Sequence, residues 1–320
     1  MTFPTHQIQT ILWKFGKMKI KNHIIILVTL LLFGCNIHRN STIEWVKTYG
    51  ENKWGAKFRD VCLTSKGNFA LCGQKSKTGM NKHGWILLVN GETLEIIFEV
   101  DVGGEGKMFV QLNSIVEVES GGFLAAGVDS RINKGDFVAV RISSDGELLW
   151  TNYYGDDFKE ACRDAIQDKN GNYLLAGYNN LAEHNGPKEI WREGYLVQID
   201  EDGKVVWEKT YGGLENREFT SLCEVEGGYL LAGILDGDGW FLKVSEEGEI
   251  IWTRTYNRDE EECLWKFAES FNNILHCPDG FLLTGHSSLL VGKRKEFEGS
   301  FWMVKVNSRG EQLWEKVYEF

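Results

Sequence analysis

The 320-residue chain is acidic, with 46 aspartates and glutamates against 35 lysines and arginines. Nucleic acids and bare anionic membranes are bound through clustered basic side chains, so this charge argues against both as partners, although it does not exclude neutral ligands such as glycans. The length is sufficient for one large domain or two ordinary ones with a sizeable core.

The first 35 residues have the features of an export signal. Lys19 and Lys21 precede an apolar run over residues 24–33, which is shorter than a membrane-spanning helix requires. The run ends in Leu-Phe-Gly-Cys at Cys35, which resembles the lipobox of bacterial lipoproteins. The resemblance implies that Cys35 is lipid-modified and becomes the first residue of the exported protein. Met18 is the expected start, because residues 1–17 would lengthen the basic region unusually.

This signal predicts the location of the remaining chain. We expect residues 36–42 to form a polar tether and residues 43–320 to form one domain. The lipid would hold that domain at the bacterial cell envelope, on the outer membrane or the cell surface, and would be its only contact with the membrane. An uncleaved membrane anchor is the alternative, and it also sends residues 43–320 across the membrane.

A seven-residue motif returns five times along those residues. Its copies are residues 67–73 (GNFALCG), 121–127 (GGFLAAG), 171–177 (GNYLLAG), 227–233 (GGYLLAG) and 279–285 (DGFLLTG). About twenty residues after most copies a tryptophan follows a glycine by four positions, at Trp150, Trp207, Trp252 and Trp314. A degenerate copy has Gly91 and Phe98, and residues 43–50 (IEWVKTYG) are an isolated copy of the tryptophan segment. Repetition at this interval indicates stacked structural units.

Each repeat reads as four short strands, because apolar runs of five to eight residues are bounded by Gly, Asn and Asp turn signals. Blades of four strands need about 40–50 residues, so we predict an all-β fold, a β-propeller of five four-stranded antiparallel blades. The blades are expected near residues 58–103, 111–154, 161–211, 217–256 and 264–318. Residues 43–50 would close the ring or cap an edge, and a helical period occurs only over residues 263–271. The aromatic residues recurring in the third strands are expected to pack between blades: Trp85, Tyr195, Trp240 and Trp302.

The pattern over residues 43–320 resembles the repeats of secreted or surface β-propeller proteins of bacteria and archaea, many of them lipoproteins of unknown role. The Gly-x-x-x-Trp element is also similar to the tryptophan docking motif of quinoprotein-like propellers. That group includes quinone-cofactor dehydrogenases and a cofactor-free lipoprotein of outer-membrane assembly. The resemblance implies a fold and not an activity. The vicinal cysteine pair that such dehydrogenases often carry is absent from this sequence.

The connections between second and third strands vary in length from repeat to repeat. They cover residues 234–239, 178–194 and 286–299 in the fourth, third and fifth repeats. Variable loops on a rigid scaffold are where binding usually occurs, so we name His184, Trp191 and His286 as candidate binding residues. The alternative is that these loops are simply a solvated acidic surface.

A polar residue recurs near the start of each first strand, at the expected mouth of the central channel. Counting back from the motif gives Asp60, Ser114, Asp164, Ser221 and Asn273. These side chains are candidate binding residues, and Asp60 with Asp164 would be the acid and base if the chain were a glycoside hydrolase. The alternative is that short polar side chains satisfy local backbone groups.

Six cysteines follow Cys35, which permits disulfides in an exported chain. Cys62 and Cys72 lie on two arms of one predicted hairpin, but Cys72 replaces the alanine or threonine of other repeats, which favours a small buried thiol. The sequence lacks the cysteine and histidine spacings that are typical of zinc sites. Asp236 and Asp238 are interpreted as part of a turn rather than as a calcium site. We therefore expect no metal and no cofactor. The preferred hypothesis is therefore a non-enzymatic binding or scaffolding protein for an envelope protein or glycan, with a carbohydrate hydrolase as the alternative.

Overall fold

The computed structural model describes residues 47–50, 55–78, 81–103, 109–130, 135–156, 159–180, 192–213, 215–257, 263–291 and 296–319. The regular structure of these residues is entirely β-strand, arranged in five sheets of four antiparallel strands in chain order. The predicted β-propeller of five four-stranded blades is confirmed, and each blade falls within two residues of its predicted limits.

The strands have the following bounds. Blade 1 contains β1 (Ala56–Leu63), β2 (Phe69–Thr78), β3 (Asn81–Val89) and β4 (Ile96–Val102). Blade 2 contains β5 (Val110–Glu117), β6 (Phe123–Asp129), β7 (Asp136–Ile142) and β8 (Leu148–Tyr154). Blade 3 contains β9 (Glu160–Gln167), β10 (Tyr173–Asn180), β11 (Arg192–Ile199) and β12 (Val205–Tyr211). Blade 4 contains β13 (Arg217–Val225), β14 (Gly228–Leu235), β15 (Asp238–Val244) and β16 (Ile250–Tyr256). Blade 5 contains β17 (Cys263–Cys277), β18 (Gly280–Val291), β19 (Glu296–Val306) and β20 (Gln312–Glu319).

Consecutive blades stack through apolar seams, because a single four-stranded sheet cannot bury both of its faces. The first strands of successive blades contact one another from β1 through β17, which makes them the inner strands. Four hydrophobic clusters fill the seams from blade 1 to blade 5. Tyr195, Trp240 and Trp302 are buried in these seams, as predicted, and Trp240 stacks on Phe219 with ring centroids 4.8 Å apart. Trp85 is buried in a separate cluster with Tyr49.

The last glycine of the repeated motif is required by a β-bulge in each inner strand. The register of β13 with β14 skips Thr220, and the same shift recurs in the other four blades. The bulge brings the carbonyl oxygen of Glu218 to 1.9 Å from where a Cβ at Gly233 would lie. The other four blades show the same close approach at 1.7–2.0 Å, at Gly73, Gly127, Gly177 and Gly285. Only glycine fits such a position.

A second repeated contact joins the outer strand of one blade to the turn of the next. In the turn before β16, Gly248 has φ +78° and packs on the Trp207 ring of blade 3, while its carbonyl oxygen accepts a 2.7 Å hydrogen bond from Tyr211. Gly203 and Gly310 accept equivalent bonds from Tyr154 and Tyr256. The tryptophan segment is therefore an inter-blade clasp.

The two ends of the blade series differ from the clasped seams. Tyr49 donates a 2.9 Å hydrogen bond to the carbonyl oxygen of Leu94 in blade 1, so it takes the place of a preceding blade's clasp tyrosine. At the other end Trp314 and Tyr318 of β20 are 37% and 48% exposed. On β1, Val61 is 42% exposed, whereas its counterpart Ile115 in blade 2 is 2% exposed. Among the described residues, four seams between consecutive blades are therefore packed, whereas side chains on β1 and β20 remain partly exposed.

One local prediction is wrong, because most of the predicted loop 286–299 belongs to β18 and β19. Residues 263–271, despite their helical period, belong to β17. The pairing continues to Val291 opposite Glu296, because all three strands extend together and satisfy one another's backbone groups. Lys47–Gly50 form no strand. Cys62 and Cys72 are both free thiols, and Cys72 is fully buried.

Candidate functional site

The antiparallel order gives the propeller two different faces. The turns between first and second strands and between third and fourth strands form one face, here called the turn face. The connections between second and third strands and between successive blades form the other, here called the loop face. Of the three candidate binding residues predicted in the loops, His184 and Trp191 lie outside the described residues. His286 is exposed on β18, and its Nδ1 lies 2.9 Å from Ser270 Oγ.

The predicted polar ring lies directly after the bulges, where its members connect neighbouring blades. Asp60 Oδ2 accepts a 2.9 Å hydrogen bond from the N–H of Ile115 in blade 2. In the next seam Ser114 Oγ accepts from Ala165, and in the third seam Asp164 Oδ2 accepts from Leu222 at 2.9 Å. A bulge interrupts the ladder locally, and these side chains supply acceptors for N–H groups beside it.

Asp164 has the most complete set of partners in this ring. Besides Leu222, its carboxylate accepts hydrogen bonds from Ala165 N–H at 2.9 Å and from Ser114 Oγ at 3.0 Å. Burial nevertheless raises the pKa of Asp164 to about 6, and repulsion by Asp60 contributes in the same direction. The negative charge of Asp60 is thus one contribution to the raised pKa of Asp164.

The remaining ring members behave differently. Ser221 is buried, whereas Asn273 of blade 5 is exposed. Beside Ser221, the bulged Thr220 donates its hydroxyl to the carbonyl oxygen of Phe271 across the seam. The bulged residues were missed by the sequence reasoning, although they are polar in every blade: Arg59, Asn113, Arg163, Thr220 and Asn272. Their polarity one position before the ring was the available signal.

Arg163 belongs to a charged group at the loop face of the seam between blades 3 and 4. Its Nε lies 2.6 Å from Glu218 Oε1, and Nη1 of Arg192 lies 2.5 Å from Glu218 Oε2. Both guanidinium groups lie over the ring of Tyr178, at 5.3 Å and 4.3 Å from its centroid. Blade 3 contributes Arg163, Tyr178 and Arg192 from three strands, and blade 4 contributes Glu218, so no sequence spacing indicated the group.

A buried carboxyl group lies at the loop face of the preceding seam. Glu160 is 0% exposed, and its Oε2 has no hydrogen-bond partner among the described residues. Burial, followed by a side-chain hydrogen bond with Asp156, raises the pKa of Glu160 to about 9. Glu160 is therefore protonated near neutral pH. Asn179, which pairs with it in the sheet, also has a buried side-chain oxygen without a partner.

The described residues contain no group of three or more histidine, cysteine or acidic side chains arranged to hold a metal ion. Asp236 and Gly237, with φ angles of +47° and +87°, form the turn between β14 and β15. No helix in the described part of the chain has the length and apolar character needed to cross a membrane.

No protein-family model and no curated protein matches this chain. Among solved structures it is similar to the quinohemoprotein alcohol dehydrogenase ADHIIG of Pseudomonas putida, with 12% identity and a TM-score of 0.49 over 79% of this chain and 52% of the dehydrogenase. It thus spans about half the length of that enzyme.

Two further structures show the same level of similarity. BamB of Moraxella catarrhalis has 10% identity and a TM-score of 0.41, with 80% of this chain and 75% of BamB covered. A GH43_12 protein from a capybara gut metagenome has 15% identity and a TM-score of 0.40, with 81% and 50% covered. Identities this low concern the fold alone and leave activity and ligand undetermined.

Proposed function

We propose that this protein is an extracytoplasmic binding or scaffolding protein, lipid-anchored at Cys35, whose loop face binds a protein or glycan of the cell envelope. The proposal rests on buried polar side-chain atoms that have no hydrogen-bond partner in the described part of the chain and that are distributed unevenly between the two faces. Among the described residues, buried side-chain atoms without a hydrogen-bond partner lie mainly at the loop-face ends of strands, as in Gln74, Glu160, Asn179, Asn180 and Arg217, whereas Lys305 towards the turn face is paired with Asp279. Buried polar groups cost stability unless they are paired, so their concentration on one face favours a functional role there.

Anchoring and binding are tested separately. Replacing Cys35 with serine should release the protein from the envelope fraction and abolish incorporation of radiolabelled fatty acid. Retention of the label by the serine variant would contradict lipidation at Cys35.

For binding, envelope extract is passed over immobilised protein in which a Gly-Ser linker replaces residues 181–191. We expect capture to be lost, while a Gly227→Ala variant on the turn face retains it. Unchanged capture by the linker variant would contradict the loop-face assignment.

Carbohydrate hydrolysis is the second candidate, and the raised pKa of the buried Asp164 is the observation that favours it. A carboxyl group with a pKa near 6 is suited to act as a general acid. Against it, both oxygens of each carboxylate accept hydrogen bonds from backbone N–H groups or Ser114. If a glycosidase activity is found and Asp60→Ala or Asp164→Ala leaves it intact, this candidate is eliminated.

A further inference from the structure

The loop face of the seam between blades 3 and 4 differs chemically from the equivalent place in the other seams. There the bulged Arg163 meets the carboxylate of Glu218. At the corresponding positions of the other described seams, Arg59 donates a hydrogen bond to Gln111, Asn113 stands opposite Ala161, and Thr220 stands opposite Ser270. The backbone geometry repeats and Arg59 is also charged, but among the described residues the ion pair of a bulged arginine with a carboxylate occurs in this seam, so the repeat itself does not require it.

The arginines of this group retain unused hydrogen-bond donors. Glu218 accepts one contact from each guanidinium, through Nε of Arg163 and Nη1 of Arg192. A guanidinium group carries five N–H donors in a planar fork, so several donors of each arginine remain available. The side chains of Arg163 and Arg192 are 34% and 40% exposed, whereas that of Glu218 is 7% exposed. A buried carboxylate thus fixes two guanidinium groups at a water-accessible surface.

The group also carries a net positive charge. Two guanidinium cations share one carboxylate, which leaves one positive charge in a chain whose formal net charge is −11. The neighbouring Arg217 is paired with Glu215 at 3.0 Å and adds none. Tyr178 restricts both guanidinium groups further by lying beneath them. Prearranged guanidinium forks match a carboxylate, which accepts two parallel N–H bonds.

The surroundings decide between a carboxylate on a sugar and one on a protein. Protein interfaces are anchored by aromatic and aliphatic side chains buried at their centre. Strands β9, β10, β11 and β13, which build this group, contribute no exposed large apolar side chain among the described residues. They contribute an amide group instead, at Asn180, which pairs with Arg192 in the sheet. Such a group suits the hydroxyls of a sugar ring.

We propose that Arg163 and Arg192, held by Glu218, bind the carboxylate of an acidic oligosaccharide, a chain that contains uronic acid. The inference rests on the proposed function and specifies the ligand class of its loop face. Arg163 and Arg192 donate to the ligand, and Glu218 is a positioning residue. The neighbouring amide group of Asn180 binds a sugar hydroxyl.

The test is calorimetric titration of the purified protein with oligogalacturonate, with neutral oligogalactose as the probe that lacks carboxylates. We expect Arg192→Gln to weaken oligogalacturonate binding about tenfold or more, because a charge-assisted hydrogen bond is lost. Arg192→Lys retains the charge without the fork and should give an intermediate loss. The matched control is Arg254→Gln, since Arg254 also lies over an aromatic ring, Trp252, but is on the outer strand β16. It should leave binding unchanged.

Several results would overturn the inference. These are equal binding of the neutral oligosaccharide, equal binding of a poly-glutamate peptide, no binding of oligogalacturonate, or an Arg192→Gln variant with wild-type affinity and an unchanged melting temperature. If Arg192→Gln still captures an envelope component that the variant lacking residues 181–191 does not, the ligand class is wrong and the loop-face function stands. If neither variant changes capture, the proposed function fails as well.

Discussion

The two faces of the propeller are built from the same strands and differ in how their polar groups are satisfied. On the turn face, the carbonyl oxygens of Gly203, Gly248 and Gly310 each accept a tyrosine hydroxyl from the preceding blade. On the loop face, Glu160 and Asn179 bury oxygen atoms that have no partner within the described part of the chain, and the charges of Arg163 and Arg192 exceed that of Glu218. The turn face repeats its contacts, whereas each seam of the loop face is different.

Along each strand, the end at the turn face therefore carries contacts that stabilise the fold, and the end at the loop face carries groups that are candidates for function. A contact repeated in several blades is explained by stacking alone, since each blade must bury its faces against the next. A costly arrangement found in one seam has no such explanation, which makes it a candidate for selection by a ligand. The following predictions test this separation, in order of decreasing effect on stability.

The largest loss of stability is expected for Gly233→Ala. The added Cβ would lie 1.9 Å from the carbonyl oxygen of Glu218, so the bulge in β13 must move. We expect the free energy of unfolding, measured by chemical denaturation, to fall by about 3–5 kcal/mol. Gly227→Ala is the control, because Gly227 has φ +74° and open space around its Cβ position; its loss should be about 1–2 kcal/mol. Equal losses would show that the close approach is unimportant.

Asp164→Ala should lower the free energy of unfolding by about 2–3 kcal/mol. It removes the side-chain acceptor of the Leu222 N–H, beside a bulge, and one of the two side-chain acceptors of the Ala165 N–H, which keeps Ser114 Oγ. Asp164→Asn, which keeps one acceptor oxygen, should cost less. Stability is measured by denaturation at neutral pH. An alanine variant as stable as the wild type would refute the inter-blade role of Asp164.

Tyr211→Phe should lower the free energy of unfolding by a smaller amount, about 1 kcal/mol, because one hydrogen bond to Gly248 is lost while the ring remains. Tyr318→Phe is the matched control, since Tyr318 occupies the same repeat position but is 48% exposed. Thermal unfolding should separate the two variants. The same melting temperature for both would contradict the account of the clasp.

On the loop face, Glu160→Gln should increase stability at alkaline pH. The pKa of Glu160 is raised from 4.5 to about 9 in the folded protein, so its contribution is fully present below pH 4.5 and is lost as pH rises towards 9. Glutamine cannot ionise. Between about pH 7 and about pH 9 the melting temperature of the wild type should therefore fall more steeply than that of the variant. Parallel curves would contradict the buried neutral state of Glu160.

The sequence predicted the features that repeat and missed those that depend on neighbouring blades. The glycine motif located all five blades because the bulge forces glycine at one position, and counting from it found Asp60, Ser114 and Asp164 at their seams. The group of Arg163, Tyr178, Arg192 and Glu218 occurs once and joins two blades, so it leaves no periodic signal. The extension of β17–β19 was missed for a similar reason, because three strands that lengthen together satisfy one another without a repeated pattern.

The outer strands carry a second candidate binding surface, besides the loop face. Paired aliphatic side chains, such as Leu148 with Leu149 and Ile250 with Ile251, are 52–54% exposed where β8 and β16 leave the turn face. Exposed apolar side chains can mark an interaction site. A partner bound there would use the repeated part of the molecule, contrary to the separation described above.

Hydrogen exchange of the protein with and without captured envelope ligand distinguishes these surfaces most directly. We expect new protection of backbone amides at the loop-face ends of β9, β10, β11 and β13, with unchanged exchange in the turns that contain Gly203 and Gly248. Protection confined to those turns and to the first residues of β8 and β16 would contradict the claim that the loop face carries the function.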